Sequence, residues 1–269
     1  MEVRTVTSRQ ELEALRPAWD RITDAGGGSV FVTCDWISTW LDHFGTEEEL
    51  AIATVWNDDE LLGVVPTRRV RGRWRGLPAQ TLSLCINNDS IRGGMAIKAG
   101  NQDRVLKAVF GHWRSSAAPW HVAVLDGLPA EDGAAARLES LVAEAGCRSL
   151  VSGVWKQNVL PVAGTWDQYY KRLSGHFRQR LRRSKEQLGD FGEVRFRYYG
   201  EPDELAAGMA ALLEVDDASW KSDVGQSILS QPLARSYYES LVQALGQRGK
   251  ALIAVMEVGG EPTAAAMCF

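Results

Sequence analysis

The residues best suited to chemistry are an acidic pair, Asp216-Asp217, followed closely by Trp220-Lys221. The pair falls at the end of a helix that apolar periodicity predicts over 201–217. Carboxylates at a helix C-terminus oppose the helix dipole, so this unfavourable placement indicates a role in binding an ammonium group or in acting as a general base. Trp220 and Lys221 could then bind an acceptor by stacking and by charge. The competing interpretations are two solvated carboxylates and a Trp220 packed in the core.

A basic helix, predicted over 176–188, is the second candidate for chemistry. Residues 165–190 carry seven Lys and Arg against three Asp and Glu, a net charge of +4. The predicted buried stripe comprises Phe177, Leu181, Ser184 and Leu188. The adjacent basic stripe comprises Arg178, Arg182 and Lys185. Such a stripe could bind phosphates of a nucleotide-linked sugar, a lipid head group or an RNA backbone, or it could be the solvated side of an amphipathic helix.

Composition bounds these possibilities. The 269 residues carry a net charge of −4, so overall charge argues against nucleic-acid binding, and no DNA partner is expected. The four cysteines are widely spaced, without a C-x-x-C pair or a histidine at ligand spacing, which predicts reduced buried thiols and no metal site. We identify no secretory signal and no apolar run of ~18 residues, which predicts a cytoplasmic protein and leaves association with a membrane surface open.

Periodicity predicts strands that alternate with helices, and hence an α/β fold. Strands are predicted at 2–6, 50–56, 61–70, 81–86, 122–125, 149–154, 194–199, 251–258 and 262–269. Helices are predicted at 9–23, 35–44, 101–114, 133–145, 166–173, 176–188, 201–217 and 233–245.

An internal repeat organises this order. Residues 50–68, LAIATVWNDDELLGVVPTR, align without a gap with residues 251–269, ALIAVMEVGGEPTAAAMCF, at an offset of 201. Upstream, Val3-Arg4 resembles Val194-Arg195, and residues 11–12 resemble 204–205, with eight extra residues in the second copy. Both copies then run strand, helix, helix, strand, turn, strand, which predicts a duplication and domains at 1–158 and 159–269.

This order resembles the opening half of the GNAT (acyl-CoA N-acyltransferase) fold. Residues 160–192, LPVAGTWDQYYKRLSGHFRQRLRRSKEQLGDFG, resemble the linker and Arg-rich helix of CelD-like and Fem-type tandem GNAT proteins. Residues 214–225, EVDDASWKSDVG, resemble a stretch of the CelD-like branch, and residues 31–45 its N-terminal opening. The resemblance implies two tandem GNAT units with mixed, largely antiparallel sheets, the second incomplete. It also implies acetyl-CoA or another acyl-CoA as co-substrate.

The sequence departs from the family after residue 269, where the next strand, the pyrophosphate loop and its helix would follow. We therefore expect either a fragment or a sheet completed by another chain, such as a homodimer through the edge strand at 262–269. The loop at 87–100 in the first copy has only Arg92-Gly93-Gly94 as an echo of the pyrophosphate signature. The cofactor-binding residues are therefore unknown from sequence.

Three functions remain open. The first is an N-acyltransferase that acylates an amine of a sugar, a polysaccharide precursor or a small metabolite. In it, Asp216 and Asp217 would be catalytic, and Trp220, Lys221 and the basic stripe would bind substrate. The second is a Fem-type transferase that takes its acyl group from aminoacyl-tRNA, and it ranks lower because no long heptad segment is visible. The third is a non-catalytic member that binds or scaffolds.

Overall fold

The computed structural model describes the chain except residues 27, 47, 48, 91 and 116–119. Contacts divide it into two compact units. The first comprises Met1–Ser149 with Leu233–Leu245, and the second comprises Leu150–Pro232 with Gly246–Phe269. The sequence repeat instead places the division after residue 158, so the helix at 233–245 falls in the first unit although it belongs to the second copy in sequence.

Ten strands and nine α-helices are formed by the described residues. In the first half of the chain they are β1 (Glu2–Val6), α1 (Arg9–Asp24), α2 (Cys34–Phe44), β2 (Ile52–Asn57), β3 (Glu60–Val65), β4 (Thr67–Trp74), β5 (Leu77–Leu84), β6 (Ala96–Ile97), α3 (Gln102–Ser115), β7 (Val122–Val124) and α4 (Ala134–Glu144). In the second half they are α5 (Trp166–Arg172), α6 (Gly175–Gly189), β8 (Val194–Tyr199), α7 (Leu205–Asp217), α8 (Trp220–Asp223), α9 (Pro232–Gly246), β9 (Leu252–Val258) and β10 (Glu261–Cys268).

Local sequence explains where α1 begins. Ser8 accepts a hydrogen bond from the Glu11 backbone N–H at 3.2 Å, and the Glu11 carboxylate accepts one from the Ser8 backbone N–H at 3.2 Å. This reciprocal capping box satisfies two N–H groups that the helix cannot pair internally. The buried residues of α1, which form the apolar stripe predicted from periodicity, are Leu12, Leu15, Trp19 and Ile22.

Two strand predictions are wrong. The strand predicted over 61–70 divides at Pro66 into β3 and β4, which lie in different sheets. Proline has no N–H to donate to a ladder, so the chain leaves one sheet there and enters the next. The strand predicted over 149–154 does not form, and this segment is exposed without regular structure. Apolar residues such as Leu150, Val151 and Val154 do not make a strand unless a neighbouring edge supplies hydrogen bonds.

The described strands form three sheets, with the orders β1-β2-β3-β6, β4-β5-β7 and β10-β9-β8. Every pairing is antiparallel except that of β5 with β7. The predicted α/β class with mixed, largely antiparallel sheets is therefore confirmed.

The register of the two hairpins supports the predicted repeat. Val55 pairs with Gly63 and Trp56 with Leu61, so Leu62 is an extra residue in β3. Met256 pairs with Ala264 and Glu257 with Pro262, so Thr263 is extra in β10. Each bulge thus falls at the same position of its copy, at the offset of 201. Duplication itself stays a prediction.

Strand pairing shows that the sequence alignment of the first strands of the two copies is wrong by two residues. Val3 pairs with Val55, and Phe196 pairs with Met256, so Val3 corresponds to Phe196 at an offset of 193. The sequence alignment instead matches Val3 with Val194. The offset changes from 193 at this strand to 201 at the hairpin, which places eight additional residues between β8 and β9.

Equivalent faces of the two sheets are covered differently. In the first unit α3 packs on the face formed by Val3, Val55 and Gly63, and a Cβ at Gly63 would lie only 2.7 Å from Val105 Cγ1. In the second unit α7 packs on the opposite face of β9, and the face containing Phe196 is open, with that side chain 60% exposed.

Candidate functional site

The α7–α8 junction of the second unit holds the acidic pair predicted to be catalytic. α7 ends at Asp217, and Ser219 is the N-cap residue of α8. The Ser219 hydroxyl donates to the backbone carbonyl of Asp216 at 2.6 Å and accepts from the Lys221 backbone N–H at 3.3 Å. This double use of one hydroxyl fixes the sharp turn between the helices.

Asp216 is enclosed by the chain. Its side chain is 8% exposed, Oδ1 accepts from Lys221 Nζ at 2.6 Å, and Oδ2 accepts from the Ile228 backbone N–H at 2.6 Å. The ammonium and the N–H offset the cost of a carboxylate at a helix C-terminus. The interpretation of Asp216 as a solvated carboxylate is therefore wrong. Because both of its oxygens have partners, its visible role is to hold the loop at 224–231 against α7.

Asp217 lies on the solvent side of the same junction. Its Oδ1 accepts from the hydroxyl of Ser227 at 2.9 Å and from that of Ser222 at 3.2 Å. Within the described part of the chain, Oδ2 has no hydrogen-bond or ion-pair partner. The carboxylate is thus oriented through one oxygen and open at the other. Such an oxygen can bind an ammonium group or accept a proton from it.

Trp220 and Lys221, the first two residues of α8, differ in exposure and in partners. The Trp220 side chain is 68% exposed, so its interpretation as a core residue is wrong and its ring is available for stacking. The Lys221 ammonium is paired with Asp216, so its charge already has a partner within the protein. Its predicted contact with substrate would have to be shared with that ion pair.

The junction coincides with the eight additional residues of the second copy. α1 corresponds to α7 and α2 to α9, so the extra residues lie between Asp217 and the start of α9. At the offset of 193, Thr23 and Asp24 occupy the positions of the acidic pair in the first copy. The loop that supplies Lys221, Ser227 and Ile228 is therefore a specialisation of the second unit.

The predicted basic stripe lies elsewhere in the second unit. Arg178, Arg182 and Lys185 project from α6, and none of the side chains of α6 is buried. Among the described residues, no hydrogen bond or ion pair joins α6 to the α7–α8 junction. The buried stripe predicted for this helix is wrong, since Phe177 is 41% and Leu181 37% exposed.

Sequence reasoning missed several polar groups of this unit, among them a backbone N–H. Ser227 and Ile228 reach the acidic pair only because the loop folds back over ten residues or more. Glu257 is buried and bonded to Arg197 at 2.8 Å. Its position could have been predicted, because it continues the alternation of inward residues Ile253 and Val255 along β9.

The helix that follows β6 in the first unit is a poor site for a pyrophosphate. Asp103 lies in the first turn of α3, where a carboxylate competes with a phosphate for the helix dipole. Lys98 is bonded to Glu60, Arg104 donates to the Asn101 side-chain oxygen at 3.3 Å, and the Asn101 side chain donates to the carbonyl of Ala99 at 3.0 Å. The residues of this loop therefore do not fit coenzyme A. Residue 91 of the predicted loop at 87–100 lies outside the described residues.

The C-terminal part of the chain is similar to a known class of domain. Residues 175–269 match the family model described as an acetyltransferase (GNAT) domain. The match spans α6 to β10 and so includes the acidic junction. It supports an acyltransferase, with acyl transfer as the general reaction.

One solved structure resembles the chain as a whole. The crystal structure of FemX matches with a TM-score of 0.50 and 15% sequence identity over 96% of this chain. The alignment spans 58% of the FemX chain, and at this identity the likeness shows the fold alone. Comparison with curated proteins gives no match. The finer CelD-like resemblance stays a prediction from the sequence motifs.

No helix among the described residues is long and apolar enough to cross a membrane.

Proposed function

We propose that this protein is an N-acyltransferase that transfers an acetyl or longer acyl group from acyl-CoA to an amine. The acceptor would be a sugar, a polysaccharide precursor or a small metabolite. The observation that carries the proposal is the open Oδ2 of Asp217, three residues before the exposed Trp220, within the segment similar to a GNAT domain.

Acyl transfer to nitrogen places a simple demand on the protein. The amine must lose a proton so that its lone pair can attack the thioester carbonyl, and the carbon–sulfur bond then breaks to release the thiol. Asp217 would bind the acceptor ammonium and accept its proton. Trp220 would hold the acceptor by stacking, and Asp216 with Lys221 would fix the loop that orients Asp217.

The test compares Asp217→Asn with Asp216→Asn. We expect Asp217→Asn to lower kcat/KM about 10²- to 10⁴-fold, the usual contribution of a general base, with little change in stability. Asp216→Asn should lower the free energy of unfolding by about 1–3 kcal/mol, because it removes a buried charged acceptor. Thiol release from acetyl-CoA over a panel of amines measures the first effect, and urea unfolding measures the second. Full activity in Asp217→Asn would remove this residue from the mechanism.

Donor binding is tested by thermal melting with and without millimolar acetyl-CoA. A ligand at about 100 times its Kd stabilises the native state by ~2.7 kcal/mol, which raises Tm by several degrees. No shift with any acyl-CoA would reject this donor.

The fold likeness to FemX supports a second candidate, the Fem-type transfer from aminoacyl-tRNA. This candidate predicts tRNA binding that weakens steeply with salt, whereas the first predicts stabilisation by acyl-CoA. A chain that responds to neither would be a binding or scaffolding member.

A further inference from the structure

Helix α6 has an ordered distribution of side chains around its axis. At 100° per residue, Phe177, Leu181 and Leu188 fall within about 40° of one another. Arg178 and Lys185 lie on one flank of this stripe and Arg180 lies on the other flank. The only acidic residue of the helix is Glu186, nine positions after Phe177, and it falls on the opposite side. The apolar stripe is therefore bordered by cations on both sides and by no anion.

The cations of α6 have no partners within the described chain. Those without a hydrogen bond or ion pair from their charged groups are Arg178, Arg180, Arg182, Arg183 and Lys185. The whole chain has a net charge of −4 and residues 165–190 carry +4, so the remaining residues carry −8. The uncompensated cations of α6 are attracted to an anionic surface although the chain as a whole is acidic.

Exposed apolar side chains concentrate in the same part of the second unit. Of the twenty exposed large hydrophobic residues in the described chain, eleven lie between residues 150 and 191. They include Trp166 at the start of α5, Phe177 and Leu181 on α6, and Phe191 just after α6. Exposed apolar side chains at this density along the chain are typical of an interaction surface.

We propose that α6 docks on an anionic phospholipid surface, lying in the plane of the interface with Phe177, Leu181 and Leu188 toward the acyl chains. The inference goes beyond the proposed acyl transfer and does not depend on it. An interfacial helix combines Lys and Arg on its polar side with Phe, Leu or Trp on the other, as α6 does. The cations bind lipid phosphates, and the apolar stripe leaves water.

The apolar stripe favours lipid over RNA. An RNA backbone would pair with the cations, but leucine has no π-face on which bases can stack, so the stripe would stay exposed. A bilayer uses both features of the helix at once.

The test is co-sedimentation of the full chain with vesicles of phosphatidylcholine containing 30% phosphatidylglycerol, and with vesicles of phosphatidylcholine alone. We expect binding to the anionic vesicles only, and weaker binding at 0.5 M salt than at 0.1 M. Arg178→Glu/Arg182→Glu/Lys185→Glu should lower the partition coefficient about 100-fold, at roughly 5-fold per cation. Phe177→Ser/Leu181→Ser should lower it about 10-fold, because apolar area no longer leaves water.

Matched controls come from the tip of the β4–β5 hairpin. Arg71→Glu/Arg73→Glu/Arg75→Glu changes the net charge by the same amount at exposed positions, and Leu77→Ser removes an exposed leucine. Both controls should bind as wild type does. Circular dichroism checks that each variant folds, as expected for side chains that are not buried.

Three outcomes would overturn the proposal. Wild-type protein could stay in the supernatant with anionic vesicles. The hairpin controls could lose as much binding as the α6 variants, which would show a general charge effect. The protein could instead bind unfractionated tRNA through the α6 cations and fail to bind vesicles, which would assign the surface to RNA.

Discussion

At the scale of the residue, two adjacent carboxylates have different tasks. Asp216 and Asp217 are about 100° apart on α7, so one faces the interior and the other faces solvent. The buried carboxylate has both oxygens occupied by the ammonium of Lys221 and the N–H of Ile228. The exposed one retains an open oxygen. Burial and partners, rather than residue type, therefore distinguish the structural member of the pair from the candidate base.

The four cysteines divide in the same way. Cys34 and Cys85 are buried, and burial raises the pKa of each thiol to about 12. Cys147 and Cys268 are exposed, so the prediction that all four are buried is wrong for these two. The thiolate is the reactive form, and it requires both exposure and a pKa near the working pH.

We therefore expect an aromatic disulfide reagent at pH 8 to modify two thiols rapidly in the native protein and four after denaturation. Cys147→Ser/Cys268→Ser should abolish the rapid phase. Three or four rapid thiols in the native wild type would show that Cys34 or Cys85 is reached without unfolding.

At the scale of the element, the two copies share a strand register and differ in whether a helix covers one face of the sheet. Both sheets run antiparallel through three strands with a bulge at the same position. In the first unit α3 covers the face that contains Val55, and in the second unit the equivalent face at Met256 is open. Strand pairing is set by each hairpin locally, whereas the covering helix comes from a different part of the chain.

The bond between α3 and β1 makes the first unit sensitive to pH. His112 Nε2 lies 2.9 Å from Thr5 Oγ1. Burial, and then the positive charge of Arg69, lower the pKa of His112 below its ordinary value of about 6.5. Between the lowered pKa of the folded state and the ordinary pKa of about 6.5, the unfolded chain therefore binds more protons than the folded chain. The stability that the neutral imidazole contributes is complete above pH ~6.5 and decreases as the pH falls toward the pKa of the folded state.

We expect the Tm of the wild type to fall more between pH 7.5 and pH 5.5 than that of His112→Gln, which can bond to Thr5 but does not titrate. Differential scanning calorimetry at both pH values measures the difference. His176→Gln, at an exposed position on α6, serves as the control and should follow the wild type. Equal pH dependence in wild type and His112→Gln would contradict the assignment.

At the scale of the whole molecule, the charge of α6 and the edge strand β10 are the features expected to determine which partners the protein binds. The positive charge of α6 is set against an otherwise acidic chain. β10 is an edge of its sheet, since β9 is its only strand partner among the described residues. An edge strand with small apolar side chains can pair with another chain, as the sequence predicts for residues 262–269.

That pairing is a prediction about oligomeric state. Sedimentation equilibrium should show a concentration-dependent homodimer, and Ala264→Lys/Ala266→Lys should shift it to monomer, because charges on an edge strand oppose strand addition. Arg71→Lys/Arg73→Lys, on the β4–β5 hairpin of the first unit, should leave the dimer unchanged. A wild type that is monomeric at every accessible concentration would exclude this interface.

Local pattern in the sequence determined most of the elements. The stripe of Leu12 and Trp19 with the cap at Ser8 predicts α1 within a residue, because periodicity and capping depend on neighbours a few positions apart. The candidate site is likewise predicted by adjacency along the chain, because Asp216, Asp217 and Trp220 lie within five consecutive residues.

Only the tertiary structure decided what those elements face. It divided a predicted strand at Pro66 into two strands of different sheets. The second sheet includes β7, a strand distant in the sequence, so the local pattern could not predict the division. It placed Ser227 and Ile228 on the acidic pair through a loop whose return no short sequence pattern predicts. It also left Phe177 and Leu181 of α6 exposed, because burial depends on a covering partner, whereas amphipathic spacing indicates only that a helix has two sides.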